Sequence, residues 1–257
     1  MRLFIVDAFT DAPFRGNPAG VVILEREADP AWMQAVAAEL KHSETAFALP
    51  SAHRTTLRWF TPTTEVDLCG HATLATAHVL GGEQVFHTKS GELRCTATEG
   101  RVSMDFPASP PVPLDGQDTP DVSAIERALG TSFDDIGTGG GDLLVTTTAE
   151  AVRALDPDLT AVAKWPFRCV MVTAEGDRAG IDFVSRVFGP AVGVPEDPVT
   201  GSAHCTLAPY WSNRFGRAEL VGEQASARGG IVHMALDGDR VGIGGEARTV
   251  VSGELLV

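Results

Sequence analysis

One acidic side chain stands where the sequence changes from a loop to an apolar strand. Glu44, in the segment HSETAF, is followed within five residues by Ala46, Phe47 and Leu49. Apolar neighbours withdraw a carboxyl group from water and raise its pKa toward the working pH. Such a group can take a proton from carbon and return it, so Glu44 is a candidate general acid/base. A solvated glutamate, or one paired with a helix end, fits the same pattern.

Two apolar segments begin with glycine, GHATLA (70–75) and GSAHCTLA (201–208), and both are typical of short buried helices. The first N–H groups of a helix lack internal partners and carry partial positive charge. Glycine also lets a ligand approach the backbone closely. Two such helix starts facing each other would hold a carboxylate without Lys or Arg. Plain core helices with glycine-led turns are the alternative.

Two polar residues stand beside these helix starts. His71 lies in a first helical turn, where the helix dipole disfavours the imidazolium form, so we expect a neutral ring. Asp197, in VPEDPVTGSAH, directly precedes the second helix. Both are candidate substrate contacts. The alternatives are a histidine satisfied by backbone groups and an aspartate that only caps the helix or shapes a turn.

The histidine and cysteine spacings do not predict a metal site. His71 and His78 are separated by about 10 Å along one helix at a rise of ~1.5 Å per residue, too far to share an ion. No HxH or HExxH pattern occurs, and we therefore expect no metal. No CxxC pair occurs either, which favours four reduced, mostly buried thiols. These cysteines are Cys69, Cys95, Cys169 and Cys205.

A glycine-rich run, GTGGGD (137–142), could suggest a phosphate loop. It lacks the GK[ST] ending of a P-loop, and it precedes a strand, whereas a dinucleotide fingerprint follows one. We interpret it as a flexible loop. The sequence also has no GxSxG motif, which disfavours an α/β-hydrolase.

The chain of 257 residues is strongly acidic, with 20 Lys and Arg against 34 Asp and Glu. A net charge of −14 repels phosphate backbones and anionic lipids, so we expect neither nucleic acid nor membrane as a partner. The first residues do not form a signal peptide, and no apolar run approaches the length of a membrane span. These features predict a cytoplasmic protein.

The predicted elements fall into two halves separated by a stretch at 107–120 that contains five prolines. We expect an N-terminal domain at 1–109 and a C-terminal domain at 118–257. Each half combines several strands with one glycine-led helix, which suggests a repeated unit. Strands are predicted at 3–9, 20–24, 44–49, 54–60, 84–88, 92–97, 101–106, 142–148, 168–174, 180–187, 217–221, 230–236, 239–244 and 248–256. Helices are predicted from Asp29–Pro30 to about Leu40 and at 71–80, 121–129, 149–155, 158–163 and 201–211.

Four segments taken together resemble the PhzF-like family, which is named for an enzyme of phenazine biosynthesis. They occur in the family's order and span nearly the whole chain. The segments are GNPAG (16–20), SETAF (43–47), FTPTTEVDLCGHATLA (60–75) and EDPVTGSAHC (196–205). The resemblance implies an α+β fold like that of diaminopimelate epimerase. It has two similar domains, each a mixed or antiparallel sheet wrapped around a central helix. The site lies between the domains, and the last strand can return to the first one.

The resemblance also implies roles for individual residues. Glu44 would transfer the proton, and His71 and Asp197 would contact the substrate as the other catalytic residues. Four further positions would bind substrate, three of them by cradling its carboxylate with backbone N–H groups. These are Ser43 and, for the carboxylate, Gly70, Gly201 and Ser202.

The implied activity is a cofactor-independent isomerisation of a small carboxylic acid, in which a proton moves from one carbon to another. The best-known family substrate is a dihydro-hydroxyanthranilate. Homodimers are common among such relatives, although no residue of this sequence specifies one.

Cys69 leaves a second function open. It stands where the epimerase relatives keep one of their two catalytic cysteines, whereas the matching stretch of the second half, DPVTGSA, has no thiol. A reaction on one face through Glu44 therefore fits better than a two-cysteine racemase. The alternatives are an amino-acid epimerase that uses Cys69 with Glu44 or Asp197, and a non-catalytic protein that binds a small molecule.

Overall fold

The structure, a computed structural model, describes residues 1–51, 54–114 and 120–257. It contains two compact units. The first comprises Met1–Phe106 and Gly242–Val257, and the second comprises Pro107–Val241. Part of the proline-rich stretch, residues 115–119, lies outside the described residues.

The first unit combines strands with two helices. Its strands are β1 (Arg2–Ala8), β2 (Asn17–Ile23), β3 (Glu44–Pro50), β4 (Thr55–Phe60), β5 (Glu65–Val66), β6 (Gly82–Thr88), β7 (Gly91–Thr98) and β8 (Arg101–Pro107), and most of β17 (Arg240–Glu254). Its helices are α1 (Pro30–Leu40) and α2 (Gly70–Leu80).

The strands of the first unit form a closed sheet, in which the last strand pairs with the first. Antiparallel pairs β1–β2, β3–β4 and β6–β7 are joined by the parallel pairs β2–β3 and β4–β6. Strand β7 then pairs with β8, β8 with β17, and β17 with β1. Helix α2 contacts several of these strands, and its residues 71–77 are all buried. The mixed sheet therefore wraps around α2.

The second unit carries strands β9 (Val112–Pro113), β10 (Asp135–Gly139), β11 (Asp142–Thr146), β12 (Val170–Glu175), β13 (Phe183–Gly189), β14 (Val194–Asp197), β15 (Glu219–Gln224) and β16 (Gly230–Asp237). Its helices are α3 (Val122–Leu129), α4 (Ala149–Ala154), α5 (Leu159–Val162) and α6 (Gly201–Phe215), with a 3₁₀ turn at Pro190–Val192.

The pairing of the second unit repeats that of the first. Antiparallel pairs β10–β11, β12–β13 and β15–β16 are joined by the parallel pairs β11–β12 and β13–β15. In each unit a short strand comes just before the glycine-led helix. Strand β5 pairs with β4 in the first unit, and β14 pairs with β13 in the second. The two units therefore share one topology, with α2 and α6 in equivalent places.

Helix α1 forms where the sequence predicts it. The Asp29 carboxylate accepts a hydrogen bond from the Ala31 N–H at 2.8 Å, and Pro30 occupies the first turn, where its missing N–H costs nothing. The helix ends at Lys41 in a left-handed conformation with φ 56°. The helix therefore ends three residues before Glu44, the first residue of β3.

The structure contradicts two predictions and has four strands that were not predicted, β5, β9, β10 and β14. The run GTGGGD is not a flexible loop. Its first residues complete β10, a turn at Gly140–Gly141 follows, and Asp142 begins β11. The two strands expected at 239–244 and 248–256 form one continuous strand, β17. No helix among the described residues has the length and apolarity needed to span a membrane.

Candidate active site

Glu44 is the first residue of β3, and its backbone pairs with Ala19 of the GNPAG segment. Its side chain is 19% exposed, and the carboxylate oxygen Oε2 lies 3.4 Å from Nε2 of His71. The following residues, Thr45 to Ala48, are buried. The carboxylate is therefore held at the edge of an apolar core and retains limited access to solvent.

Cys69 completes a group of three side chains in the first unit. It is buried and immediately precedes α2, and its Sγ lies 3.5 Å from Nδ1 of His71. Glu44, Cys69 and His71 each offer one possible ligand atom, and these three atoms lie within 4.8 Å of one another. A carboxylate, a thiol and an imidazole are thus brought together at the start of α2.

His71 is neutral in this environment. Burial, with a smaller contribution from repulsion by His42, lowers its pKa to about 3. Among the described residues, its buried Nε2 has no hydrogen-bond partner. The sequence predicted a neutral ring from the helix dipole, whereas burial is the main cause in the structure. A neutral imidazole can orient a substrate group without competing with the substrate for the proton of Glu44.

The starts of α2 and α6 differ from those of the other α-helices in the described parts of the chain. Helices α1, α3, α4 and α5 each begin with a side chain that accepts a hydrogen bond from a first-turn N–H. Cys69 and Thr200, the N-cap residues of α2 and α6, make no such bond. A helix start without a side-chain cap is the arrangement in which first-turn N–H groups can bind an anion.

Asp197 lies at the end of β14 in the second unit and is tied to the start of α6. Thr200 Oγ1 donates to Asp197 Oδ2 at 2.6 Å. Gln224, which is fully buried, accepts from the Thr200 N–H at 2.8 Å and donates to the Asp197 carbonyl at 2.7 Å. Gln224 therefore fixes the loop between the aspartate and the helix.

A second charged side chain reaches the same helix start. Arg168 donates to Ser202 Oγ at 3.2 Å and to the buried Asp142 Oδ2 at 2.5 Å. Asp142 also accepts from the Cys169 N–H at 3.1 Å. Burial raises the pKa of Asp142, and the charge of Arg168 opposes that rise. The sequence analysis missed both residues, because 26 positions separate them and only strand pairing brings them together.

In each unit a charged side chain contacts the second residue of the glycine-led helix, and the two charges have opposite signs. In the first, Glu44 contacts His71, the second residue of α2. In the second, Arg168 contacts Ser202, the second residue of α6. The remaining predicted residues follow this division. Half-buried Ser43 and Gly70 belong to the first unit, and Gly201 belongs to the second.

Both buried histidines of the glycine-led helices predict a loss of stability in acid. Burial lowers the pKa of His71 to about 3 and that of His204, whose Nδ1 faces the Thr200 carbonyl, to about 4. In the unfolded chain each ring takes up a proton below about pH 6.5, and the folded chain does not. Stability therefore falls as the pH drops from about 6.5 toward 4, and by pH 5 the loss is about 2 kcal/mol for each histidine.

Urea unfolding of the protein at pH 7 and pH 5 measures this loss, and His204→Gln is the matched variant. The variant should lose about 2 kcal/mol less than the native chain between the two pH values. An equal loss in both proteins would show that His204 does not titrate as its burial requires.

The fold and the two helix starts define the class of protein. The topology is that of the diaminopimelate epimerase-like fold. A probable proline racemase from Agrobacterium radiobacter shares it with a TM-score of 0.64, at 14% identity over 100% of this chain and 93% of that one. At that identity, the likeness concerns the fold alone.

A family model described as phenazine biosynthesis-like protein, PhzC-PhzF, matches residues 6–253. The chain belongs to this family, as its motifs predicted. A PhzF family protein from Enterococcus faecalis superposes with a TM-score of 0.94, at 40% identity over 100% of this chain and 99% of that one. An uncharacterized isomerase of Pseudomonas aeruginosa is 46% identical over 97% of this chain and 96% of its own length. The chain is accordingly an isomerase-type enzyme.

Proposed function

We propose that the protein is a cofactor-independent isomerase that moves a proton between two carbons of a small carboxylic acid, with Glu44 as the single acid/base. The observation that carries the proposal is the place of the Glu44 carboxylate. It is 19% exposed and lies 3.4 Å from a buried, neutral His71, beside a helix start without a side-chain cap. A carboxylate in such a place can reach a bound C–H group and is partly shielded from water.

Each unit offers a substrate carboxylate one helix start whose N-cap side chain accepts no hydrogen bond from the first turn, α2 in the first unit and α6 in the second. Their N–H groups supply directed partial positive charge, and Arg168 adds a full charge beside Ser202. A chain of net charge −14 needs such local positive charge to attract an anion.

The proposed reaction has two proton transfers. Ionised Glu44 removes a proton from an acidic C–H, and the electron pair left on carbon delocalises toward the bound carboxylate. His71, which lies beside Glu44, orients the substrate and stabilises the developing charge. For Asp197, a substrate contact is what the family resemblance implies. Protonated Glu44 then delivers the proton to a second carbon on the same face. The double bond moves, and Glu44 returns to its ionised form.

The spacing of Glu44 and Cys69 disfavours a two-base epimerisation by this pair. Groups that attack one carbon from opposite faces each stand about 3–3.5 Å from it, and therefore about 6–7 Å from each other. The carboxylate oxygen and the thiol sulfur lie within 4.8 Å. Both would approach a substrate from one side, which suits a reaction on a single face.

Solvent isotope labelling tests the proposal. The protein is incubated in D₂O with a panel of small unsaturated carboxylic acids, and each product is analysed by NMR for deuterium position, double-bond position and chirality. We expect one acid whose double bond moves. Inversion at one carbon with no moved double bond would favour the epimerase. Carboxylate binding without any C–H exchange across the panel would favour a non-catalytic binding protein.

A further inference from the structure

The group formed by Glu44, Cys69 and His71 has the donor chemistry of a transition-metal site. A carboxylate oxygen, a thiol sulfur and an imidazole nitrogen are the three ligand types that Zn²⁺ takes from proteins. The thiol and the imidazole come from a Cys-x-His segment and the carboxylate from a separate strand, so no paired-histidine motif marks this combination in the sequence. Within residues 1–51, 54–114 and 120–257, no other group of three such side chains comes this close together.

Two of the distances match the spacing of ligand atoms around one ion, and they end on different nitrogens of the His71 ring. Ligand atoms in a tetrahedral zinc site stand about 3.3–3.8 Å apart, given metal–ligand bonds of about 2.0–2.3 Å. Glu44 Oε2 lies 3.4 Å from His71 Nε2, and Cys69 Sγ lies 3.5 Å from His71 Nδ1. An ion on one ring nitrogen must draw the third group closer. The three ligand atoms lie within 4.8 Å of one another, so one side chain must move by about 1 Å to reach the spacing of a single tetrahedral ion.

Burial and access also fit a bound ion. His71 Nε2 is buried and, within the described chain, has no hydrogen-bond partner, so a metal would satisfy an atom that otherwise costs free energy. The Glu44 side chain is 19% exposed, which leaves a route for the ion. With three protein ligands, a fourth tetrahedral position stays open to water or to an anion.

We propose that Glu44, Cys69 and His71 bind a thiophilic divalent cation of the Zn²⁺ class, and that this cation reversibly inhibits the enzyme. Binding releases the Cys69 thiol proton to solvent and forms a metal–thiolate bond. The ion also takes the Glu44 lone pair that would accept the substrate proton. Only the inhibition rests on the proposed function, because ion binding depends on the three side chains alone.

Cadmium ion is the probe, since Cd²⁺ is softer than Zn²⁺ and its thiolate bond absorbs in the ultraviolet. The reduced, chelator-treated protein is titrated with Cd²⁺ while the charge-transfer band is recorded. We expect a band that saturates at one ion per chain and is removed by added Zn²⁺. Absence of the band at a stoichiometric amount of Cd²⁺ would overturn the inference.

Three variants locate the ion. Cys69→Ser should abolish the band. Loss of a residue that only supports a ligand can weaken metal binding by roughly 100-fold, so loss of the ligand itself should weaken Zn²⁺ binding at least as much. Cys205→Ser is the matched control and should keep the band, because burial raises the pKa of this half-buried thiol to about 12. Glu44→Gln should keep the band with weaker affinity. A band retained by Cys69→Ser, or lost in Cys205→Ser, would assign the ion to another thiol and contradict the site.

Turnover measurements separate this inference from the proposed function. Zn²⁺ should inhibit in competition with substrate, and a chelator should restore full turnover. If Glu44→Gln keeps native turnover while the Cd²⁺ band is present, the proposed acid/base role fails and the metal site stands. If Glu44→Gln is inactive and the native protein shows no band, the metal site fails and the acid/base role stands.

Discussion

Glu44→Gln is expected to lower kcat by about 10²–10⁴-fold, the range that a positioned general acid/base contributes. Glutamine keeps the shape of the side chain and can donate its amide hydrogen to the neutral His71 Nε2, so the local structure should remain. It cannot take up the substrate proton. KM should therefore change little, and the loss should appear in turnover and in solvent deuterium incorporation, measured with the carboxylic acid that the labelling panel identifies.

The matched control is Glu39→Gln, the same substitution at an exposed position of α1. It removes one negative charge from the same unit and should leave kcat within about twofold, as expected for a surface change. If Glu44→Gln instead turned over at the native rate, another group would have to move the proton. A moderate loss accompanied by a large rise in KM would make Glu44 a binding residue.

Much of the fold follows from local patterns in the sequence. The Asp29–Pro30 start of α1, the glycine-led starts of α2 and α6 and most strands lie within a few residues of their predicted positions. These elements combine a strong period with clear end signals, such as an acidic N-cap or a terminal glycine. The membership in the PhzC-PhzF family was also predicted, because long motifs carry it.

The prediction for GTGGGD was wrong for a physical reason. Glycine in a sequence normally marks a turn. Gly139 instead ends β10, and a Cβ at this position would come within 2.6 Å of the Thr206 side chain. In β17, a Cβ on Gly244 would lie 2.5 Å from the Val102 carbonyl oxygen. Both glycines permit close packing between elements distant in sequence. No local pattern distinguishes such a glycine from one in a loop.

The site was predicted unevenly for a related reason. Glu44, His71 and Asp197 belong to motifs and could be named from the resemblance. Arg168 stands outside these motifs, and its contact with Asp142 depends on how β11 and β12 pair. Only the folded chain shows that Cys69 contacts the imidazole of His71. Residue types can therefore be read from a motif, whereas partners that lie far apart in the sequence require the tertiary structure.

Gln224 illustrates this dependence and yields the second large effect. Its amide lies in a fully buried position and holds both ends of the loop between Asp197 and α6. Leucine has a similar volume but no polar atoms, so Gln224→Leu leaves the Thr200 N–H and the Asp197 carbonyl without their partner. Each such group costs about 1–3 kcal/mol, and we expect the free energy of unfolding to fall by about 4 kcal/mol.

Gln84→Leu is the control, because Gln84 makes one partly buried hydrogen bond, to the Gly81 carbonyl. Its loss should cost about 1 kcal/mol in the same urea titration. Gln224→Leu should in addition lower kcat/KM at temperatures where the variant remains folded, since the loop that carries Asp197 and the first N–H groups of α6 loses its anchor. A destabilised variant with native kcat/KM would mean that Gln224 supports the fold alone. Unchanged stability would mean that water or a rearranged loop replaces the amide, and that the geometry around Asp197 does not depend on it.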